Sequence, residues 1–257
     1  MDDNAKSDPF YVGYLPTPKQ IALFSAVAAA VMIGLAIGAG AALLATQRDP
    51  GPGRFRFDLG YQTVTGVLEP GPYPILRLPP DENHPEPWSI ALSGGGKRGV
   101  QELANDLGNI QVDAGGTLII HNGTMLLQVG GKVRLRPAED PSVLDGFTPA
   151  EVEDLGTHTL KGEVVDSKCY IGAMRPGRDK AHMGCANLCL IGGVPPGFVT
   201  TAPDGTETWF LLADKDGEPL MEMVRRYVSL NVALTGDVER RDDMLIFKID
   251  QSSLEIL

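Results

Sequence analysis

Cysteine and positive charge are both scarce in this chain of 257 residues. Three cysteines are too few for a disulfide scaffold, and their odd number leaves at least one thiol unpaired. The 22 lysines and arginines are outnumbered by 33 aspartates and glutamates, giving a formal net charge of −11. This balance argues against a nucleic-acid binder, which would present a basic face. No Ser/His/Asp arrangement and no paired carboxylate motif stands out, so no catalytic residue is predicted.

Residues 21–46 form one uninterrupted uncharged run, IALFSAVAAAVMIGLAIGAGAALLAT. A helix of this length crosses a hydrocarbon core of about 30 Å. The alternative is a cleaved signal peptide, whose apolar region has only about 7–15 residues. The run therefore predicts a retained transmembrane helix that follows a short tail (1–20). We expect a single-pass membrane protein with its C-terminal region outside the cytoplasm.

Small residues recur at helical spacing within this run, at Gly34, Gly38 and Ala42. Such a stripe lets a second membrane helix approach closely. It predicts an integral membrane protein partner or a homo-oligomer. The alternative is compositional, because the whole run is rich in alanine and glycine.

Two similar stretches follow the membrane run, and their landmarks recur at a nearly constant offset. The spacing from Trp88 to Trp209 equals, within one residue, the spacing from Gly116 to Gly236. Each stretch has a TVTGV- or TLKGEVV-like strand, a strand starting near the tryptophan, a helix-like segment and a final hairpin. The segments that we predict are a Pro/Gly linker (47–60), a first module (61–136), an acidic connector (137–157) and a second module (158–251).

Short alternating strands and tight turns predict the architecture of each module. Asn122-Gly123 is typical of a two-residue hairpin turn, since both positions tolerate positive φ. Short strands with one helix between the third and the fourth favour a small closed barrel of the OB type. The predicted fold is thus mainly β with one N-terminal transmembrane helix and two tandem OB-like barrels, each with one helix. Two unrelated α+β units are the alternative.

The second module carries an additional segment, residues 169–196, that contains all three cysteines. Asp179 is a fair N-cap for a short helix ending at Gly192-Gly193. Long segments with reactive side chains on a small barrel are a usual place for function. We call residues 169–196 the Cys/His insertion.

On such a helix His182, Cys185 and Cys189 lie on one face, since they occupy positions i, i+3 and i+7. Cys169 is predicted to end the preceding strand and to reach that face. Together the four residues would form a tetrahedral Cys3His set.

Three interpretations of this cluster stay open. The first is a structural disulfide from Cys169 to a helical cysteine, as expected outside the cytoplasm. The second is a metal site for copper or zinc, with Met174 or Met183 nearby. The third is a redox-active thiol, whose thiolate form would be favoured by a locally basic loop. The basic residues of that loop are Lys168, Arg175, Arg178 and Lys180.

A glycine-rich loop, Ser93–Gly99, superficially resembles a phosphate-binding loop. Arg98 stands where a P-loop needs Ser or Thr to ligate Mg²⁺. The segment is therefore predicted to be a flexible turn that leads into the helix.

Two resemblances are carried by the insertion. The pair Cys185-x3-Cys189 is similar to the cysteine pair of the dinuclear copper centre in oxidase subunit II, a family with His and Met shortly after the second cysteine, where this chain has Leu190–Gly193. The strings GEVVDSKCY, AHMGCANLC and GGVPPG resemble a motif of small bacterial exported proteins of unassigned function, over about residues 160–250. This resemblance implies an extracytoplasmic bacterial module. Together with the apolar run it predicts a single-pass protein of a bacterial inner membrane, with its C-terminal region in the periplasm.

The combined features favour an accessory subunit of a membrane redox complex that presents a Cys/His loop outside the bilayer. A periplasmic copper- or zinc-binding protein is one alternative, and a thiol–disulfide redox protein is another. A duplicated scaffold with one decorated loop is typical of binding and assembly modules, which is an argument from fold analogy.

Overall fold

The computed structural model describes residues 17–46, 53–131, 134–140, 147, 150–174 and 176–257. The chain forms two compact units, 1–49 and 50–257. Much of the predicted tail, linker and acidic connector lies outside the described residues.

The N-terminal unit contains one helix, α1 (Lys19–Thr46), which begins two residues before the predicted span. It is long and apolar enough to cross a membrane, and none of its residues is buried. Gly34 and Gly38 lie on it with open space where a Cβ would stand.

The second unit begins with a closed barrel, which we call the first barrel. Its strands follow one another in the spatial order β2-β3-β4-β6-β5 and close through pairing of β5 with β2. One helix, α2, lies between the third and the fourth strands. Two short strands, β1 and β7, also pair with β5. The bounds are β1 Arg54–Phe55, β2 Gln62–Glu69, β3 Ile75–Leu78, β4 Trp88–Ser93, α2 Gln101–Leu107, β5 Gln111–His121, β6 Thr124–Val129 and β7 Leu135–Pro137.

The second barrel repeats this arrangement with longer strands, in the closed order β8-β9-β10-β12-β11. Its helix α5 again lies between the third and the fourth strands, and two further helices, α3 and α4, lie between the first and the second. The bounds are β8 Val152–Asp166, α3 Ser167–Ile171, α4 Met183–Ile191, β9 Pro196–Thr201, β10 Glu207–Asp214, α5 Met221–Tyr227, β11 Asn231–Arg241 and β12 Met244–Ile256.

The pairing pattern of the two barrels is the same strand for strand. In each, the first strand pairs antiparallel with the second and the fourth, and the third pairs parallel with the fifth. Trp88 and Trp209 lie in the third strand of their respective barrels. The prediction of two tandem OB-like barrels is confirmed. The second barrel carries two further helices, α4, which was predicted within the Cys/His insertion, and α3, which was not.

Glycines in the fourth strands explain part of this likeness. A Cβ on Gly116 would lie 2.2 Å from the carbonyl oxygen of Gln128, and one on Gly236 would lie 2.2 Å from that of Lys248. Only glycine permits such a close approach of two strands, which is a usual device for bending a small barrel.

Three large apolar clusters hold the described part of the second unit together, and a small fourth one contains Cys169, Cys189 and Val194. Each barrel has its own interior, centred on residues such as Leu76 and Leu127 in the first and Phe198 and Phe247 in the second. The third cluster joins the outer faces of both barrels. Its members include Tyr73, Ile119 and Leu126 from the first barrel and Tyr170, Trp209 and Leu211 from the second.

A buried ion pair also joins the barrels, since Arg77 Nε donates to Asp242 Oδ2 at 2.6 Å. The two barrels are therefore packed as one body, and a loop of the first can contact the insertion of the second.

Candidate functional site

The structure changes the predicted position of Cys169. Strand β8 ends at Asp166, and Cys169 lies in the short helix α3 and not at the end of a strand. The cause is local: Asp166 caps α3, because its Oδ1 accepts a hydrogen bond from the Cys169 N–H at 2.9 Å. The prediction for this residue was wrong, although the D-x-x-C spacing is that of an N-cap and the third helical residue.

The helix that carries the other two cysteines also begins later than predicted. His182, not Asp179, occupies the N-cap position of α4. Asp179 has φ of 64°, and its N–H donates to Glu163 Oε1 at 2.5 Å. The buried carboxylate of Glu163 thus holds Asp179 in a turn outside the helix.

The three thiols converge at one place. The sulfurs of Cys169, Cys185 and Cys189 all lie within 4.8 Å of one another. Cys169 and Cys189 are buried and Cys185 is half-buried. All three cysteines are free. The sulfurs of Cys169 and Cys189 are separated by 3.9 Å, well beyond the bond length of about 2.05 Å in a disulfide.

The histidine of the predicted set is held by a carboxylate. His182 Nε2 lies 2.7 Å from Asp166 Oδ2, and the two side chains are 2% and 0% exposed. Asp166, Cys169 and His182 form a second group of ligand atoms within 4.8 Å. The four predicted residues are thus brought together as two groups that share Cys169, and Asp166 is a member that the sequence reasoning missed.

The two buried thiols interact directly, with their sulfurs 3.9 Å apart. The hydrogen bond between Cys169 and Cys189 lowers the pKa of Cys189 and, with burial, raises that of Cys169. Cys189 therefore forms a thiolate more readily than Cys169.

A lysine of the first barrel completes the cluster. Lys97 Nζ donates to Cys185 Sγ at 2.5 Å and lies 3.9 Å from Cys189 Sγ. The hydrogen bond with Cys185 raises the pKa of Lys97. This residue belongs to the glycine-rich loop Ser93–Gly99.

That loop is fixed by contacts with the insertion and is not a free turn. Lys168, 4% exposed, donates from Nζ to the carbonyl oxygens of Gly94 at 2.6 Å and Gly96 at 2.7 Å. Gly99 N–H donates to Gly192 O at 2.7 Å. Burial lowers the pKa of Lys168.

The predicted basic residues of the insertion do not form one surface patch. Lys168 is buried, as described above. Arg178 pairs with Glu163 Oε2 at 3.1 Å and also with Glu207. Lys180 is exposed, and Arg175 lies outside the described residues.

Comparison with protein-family models, with curated proteins and with solved structures finds no match to this chain. The three soft sulfur ligands and the buried Asp166–His182 pair can hold a metal ion, and the free thiols can also form a disulfide.

Proposed function

We propose that this protein is a membrane-anchored metal-binding protein, and that Cys169, Cys185 and Cys189 hold one thiophilic ion. The observation that carries the proposal is the convergence of the three sulfurs within 4.8 Å of one another, although α3 and α4 are separate helices. Sulfur ligands are typical of sites for Cu(I) and Zn²⁺.

The sulfur spacing fits such an ion. A metal–sulfur bond of about 2.3 Å places two sulfurs about 3.8 Å apart in a tetrahedral site. The Cys169–Cys189 separation of 3.9 Å matches this distance, and the pairs that include Cys185 lie within 4.8 Å. A disulfide would instead require the two sulfurs to approach to about half that distance.

The surroundings of the thiols support a prearranged site. Asp166 fixes the backbone of Cys169 through Oδ1 and the ring of His182 through Oδ2. Hydrogen bonds of this kind, one layer outside the ligands, orient metal sites in many proteins. Lys97 supplies a positive charge beside two of the sulfurs, which compensates the negative charge of thiolates.

The proposal includes the location of the site. A single apolar helix followed by a large folded unit is a usual layout of an exported domain. We place the metal site on the periplasmic side of a bacterial inner membrane. The apolar, unburied surface of α1 supports the membrane anchor.

The test is a metal titration of the full chain, purified in detergent and fully reduced. We expect about one Cu(I) or Zn²⁺ per chain, and we expect Cys185→Ser to lose most of the affinity. His158→Asn is a control, since His158 is exposed and lies in strand β8 away from the cysteines. A metal content near zero in the wild type, together with a Cys169–Cys189 disulfide formed by oxidised glutathione, would instead support the thiol–disulfide alternative.

We further propose that the protein acts as an accessory subunit of a membrane redox complex. The open surface of α1 at Gly34 and Gly38 supports a contact with another membrane helix. Purification in a gentle detergent is expected to retain an integral membrane partner, and Gly34→Leu with Gly38→Leu to release it. Recovery of the wild-type chain alone would contradict this role without affecting the metal site.

A further inference from the structure

Lys97 lies beside two of the three sulfurs and Lys168 is buried in helix α3 nearby, and both charges bear on which ion the site accepts. We infer that the site selects the monovalent ion Cu(I) over Zn²⁺, and that Lys97 of the first barrel is the residue that sets this preference. The inference rests on the proposed three-cysteine site and names its ligand.

The number of ligands is the first argument. Zinc in proteins is almost always bound by four ligands, whereas Cu(I) is satisfied by three sulfurs. The candidate fourth ligand, His182, is held by Asp166 at 2.7 Å. Among the described residues, His182 groups with Cys169 but not with Cys185 and Cys189. The three sulfurs therefore form a set of their own.

The charge around the sulfurs is the second argument. Two ammonium groups, those of Lys97 and Lys168, and one carboxylate, that of Asp166, lie around the three cysteines. These surroundings leave one positive charge in a region where Cys169, Cys189 and Lys168 are all buried. A positive charge disfavours a divalent ion more than a monovalent one, because the repulsion scales with the charge of the ion.

The position of Lys97 is the third argument. Its Nζ lies 2.5 Å from Cys185 Sγ and 3.4 Å from the carbonyl oxygen of the same residue. The loop that carries it is anchored by Lys168 and by the Gly99–Gly192 hydrogen bond. The ammonium is therefore held at the edge of the site, where it repels a divalent ion more strongly than a monovalent one.

The experiment compares Cu(I) and Zn²⁺ affinities in one preparation of the full chain in detergent. Chromophoric chelators compete for each metal in turn, under anaerobic conditions for Cu(I). Lys97→Gln removes the charge, Lys97→Arg keeps it, and Arg98→Gln removes the charge of the neighbouring exposed residue. Thermal unfolding of each variant shows whether it is folded.

We expect the ratio of Cu(I) to Zn²⁺ affinity to fall about tenfold in Lys97→Gln, since Lys97 is partly exposed to solvent and its field is screened. Lys97→Arg and Arg98→Gln are expected to keep the wild-type ratio. X-ray absorption of the Cu(I) form should show three sulfur neighbours and no nitrogen.

Two results overturn the inference while leaving the three-cysteine site standing. One is a ratio that is the same in Lys97→Gln and the wild type, and the other is a wild type that prefers Zn²⁺ with a nitrogen ligand. A wild type that binds neither metal overturns the proposed function together with the inference.

Discussion

The two barrels share a strand order but use the same connection for different purposes. In the first barrel, residues 70–74 join the first strand to the second. In the second barrel, residues 167–195 join the equivalent strands and contain α3 and α4 with all three cysteines. OB-fold proteins commonly bind ligands through this connection.

The short connection of the first barrel serves in packing. Tyr73 lies in it, is 2% exposed, and accepts a hydrogen bond on its hydroxyl from the Leu220 N–H of the second barrel at 2.8 Å. The first barrel contributes to the site through a different loop, the one that carries Lys97. The second barrel therefore carries the three cysteines, whereas the first barrel places the charge of Lys97 beside them.

The largest expected effect concerns the carboxylates that pair with histidine in each half of the unit. Asp166→Ala should lower the free energy of unfolding by about 3 kcal/mol, because it leaves buried His182 without its partner and removes the cap of α3. The matched pair in the first half, Asp81 with His84, is exposed, and Asp81→Ala should cost far less. Urea unfolding followed by tryptophan fluorescence measures both. Equal losses would contradict the distinction between a buried and an exposed pair.

The equivalent glycines provide the next test. Gly116→Ala and Gly236→Ala should each destabilise the protein by about 2 kcal/mol, because each new methyl group meets a carbonyl oxygen of the neighbouring strand. Gly184→Ala, at a position with open space around it, is the control.

The same unfolding experiment shows whether the two barrels unfold together. Trp88 reports on one barrel and Trp209 on the other in single-tryptophan variants. We expect one common transition, since the barrels share an apolar cluster. Two separate transitions would show that the barrels unfold independently.

The contact between the glycine-rich loop Ser93–Gly99 and the C-terminal end of α4 can be weakened at a single position. A Cβ on Gly192 would lie 1.7 Å from the carbonyl oxygen of Lys97, so Gly192→Ala must displace the loop. We expect a loss of about 1 kcal/mol in stability and a lower ratio of Cu(I) to Zn²⁺ affinity. Gly184→Ala again serves as the control on the same helix. An unchanged ratio in a destabilised Gly192→Ala would mean that the loop does not set metal preference.

The smallest expected effect is a pH dependence that differs between histidines of the two barrels. Burial lowers the pKa of His121 below its usual 6.5. The stability that comes from keeping this ring neutral is therefore present above pH 6.5 and is lost as the pH falls below it. His121→Gln should flatten the decline in stability between pH 7.5 and 5.5, and His158→Gln, at an exposed position, should not. The measurement is the urea midpoint at each pH.

Local sequence patterns were sufficient to predict the two barrels. The Asn122-Gly123 turn has φ of 46° and 83° and closes the predicted hairpin. The tryptophan and glycine landmarks occupy equivalent strands. These features depend on residues near one another in sequence, where turn chemistry and alternation act directly.

The details of the cysteine site were harder to predict from the sequence. Asp179 was a reasonable N-cap by composition, but Glu163, sixteen positions earlier, accepts its N–H and shifts the helix start. The sequence predicts Cys169 at the end of a strand, but the capping by Asp166 places it in helix α3. Competition between hydrogen-bonding partners is settled by tertiary position and not by local preference.

By itself, the sequence determined an apolar helix, two copies of a small barrel and the segment in which every thiol would lie. Only the tertiary structure decided that the glycine-rich loop Ser93–Gly99 of the first barrel contacts the cysteines of the second barrel. Lys97 and Cys185 are separated by 88 positions, and no periodicity relates them. Their contact follows from how the outer faces of the barrels pack, and that packing depends on shape and burial summed over many residues.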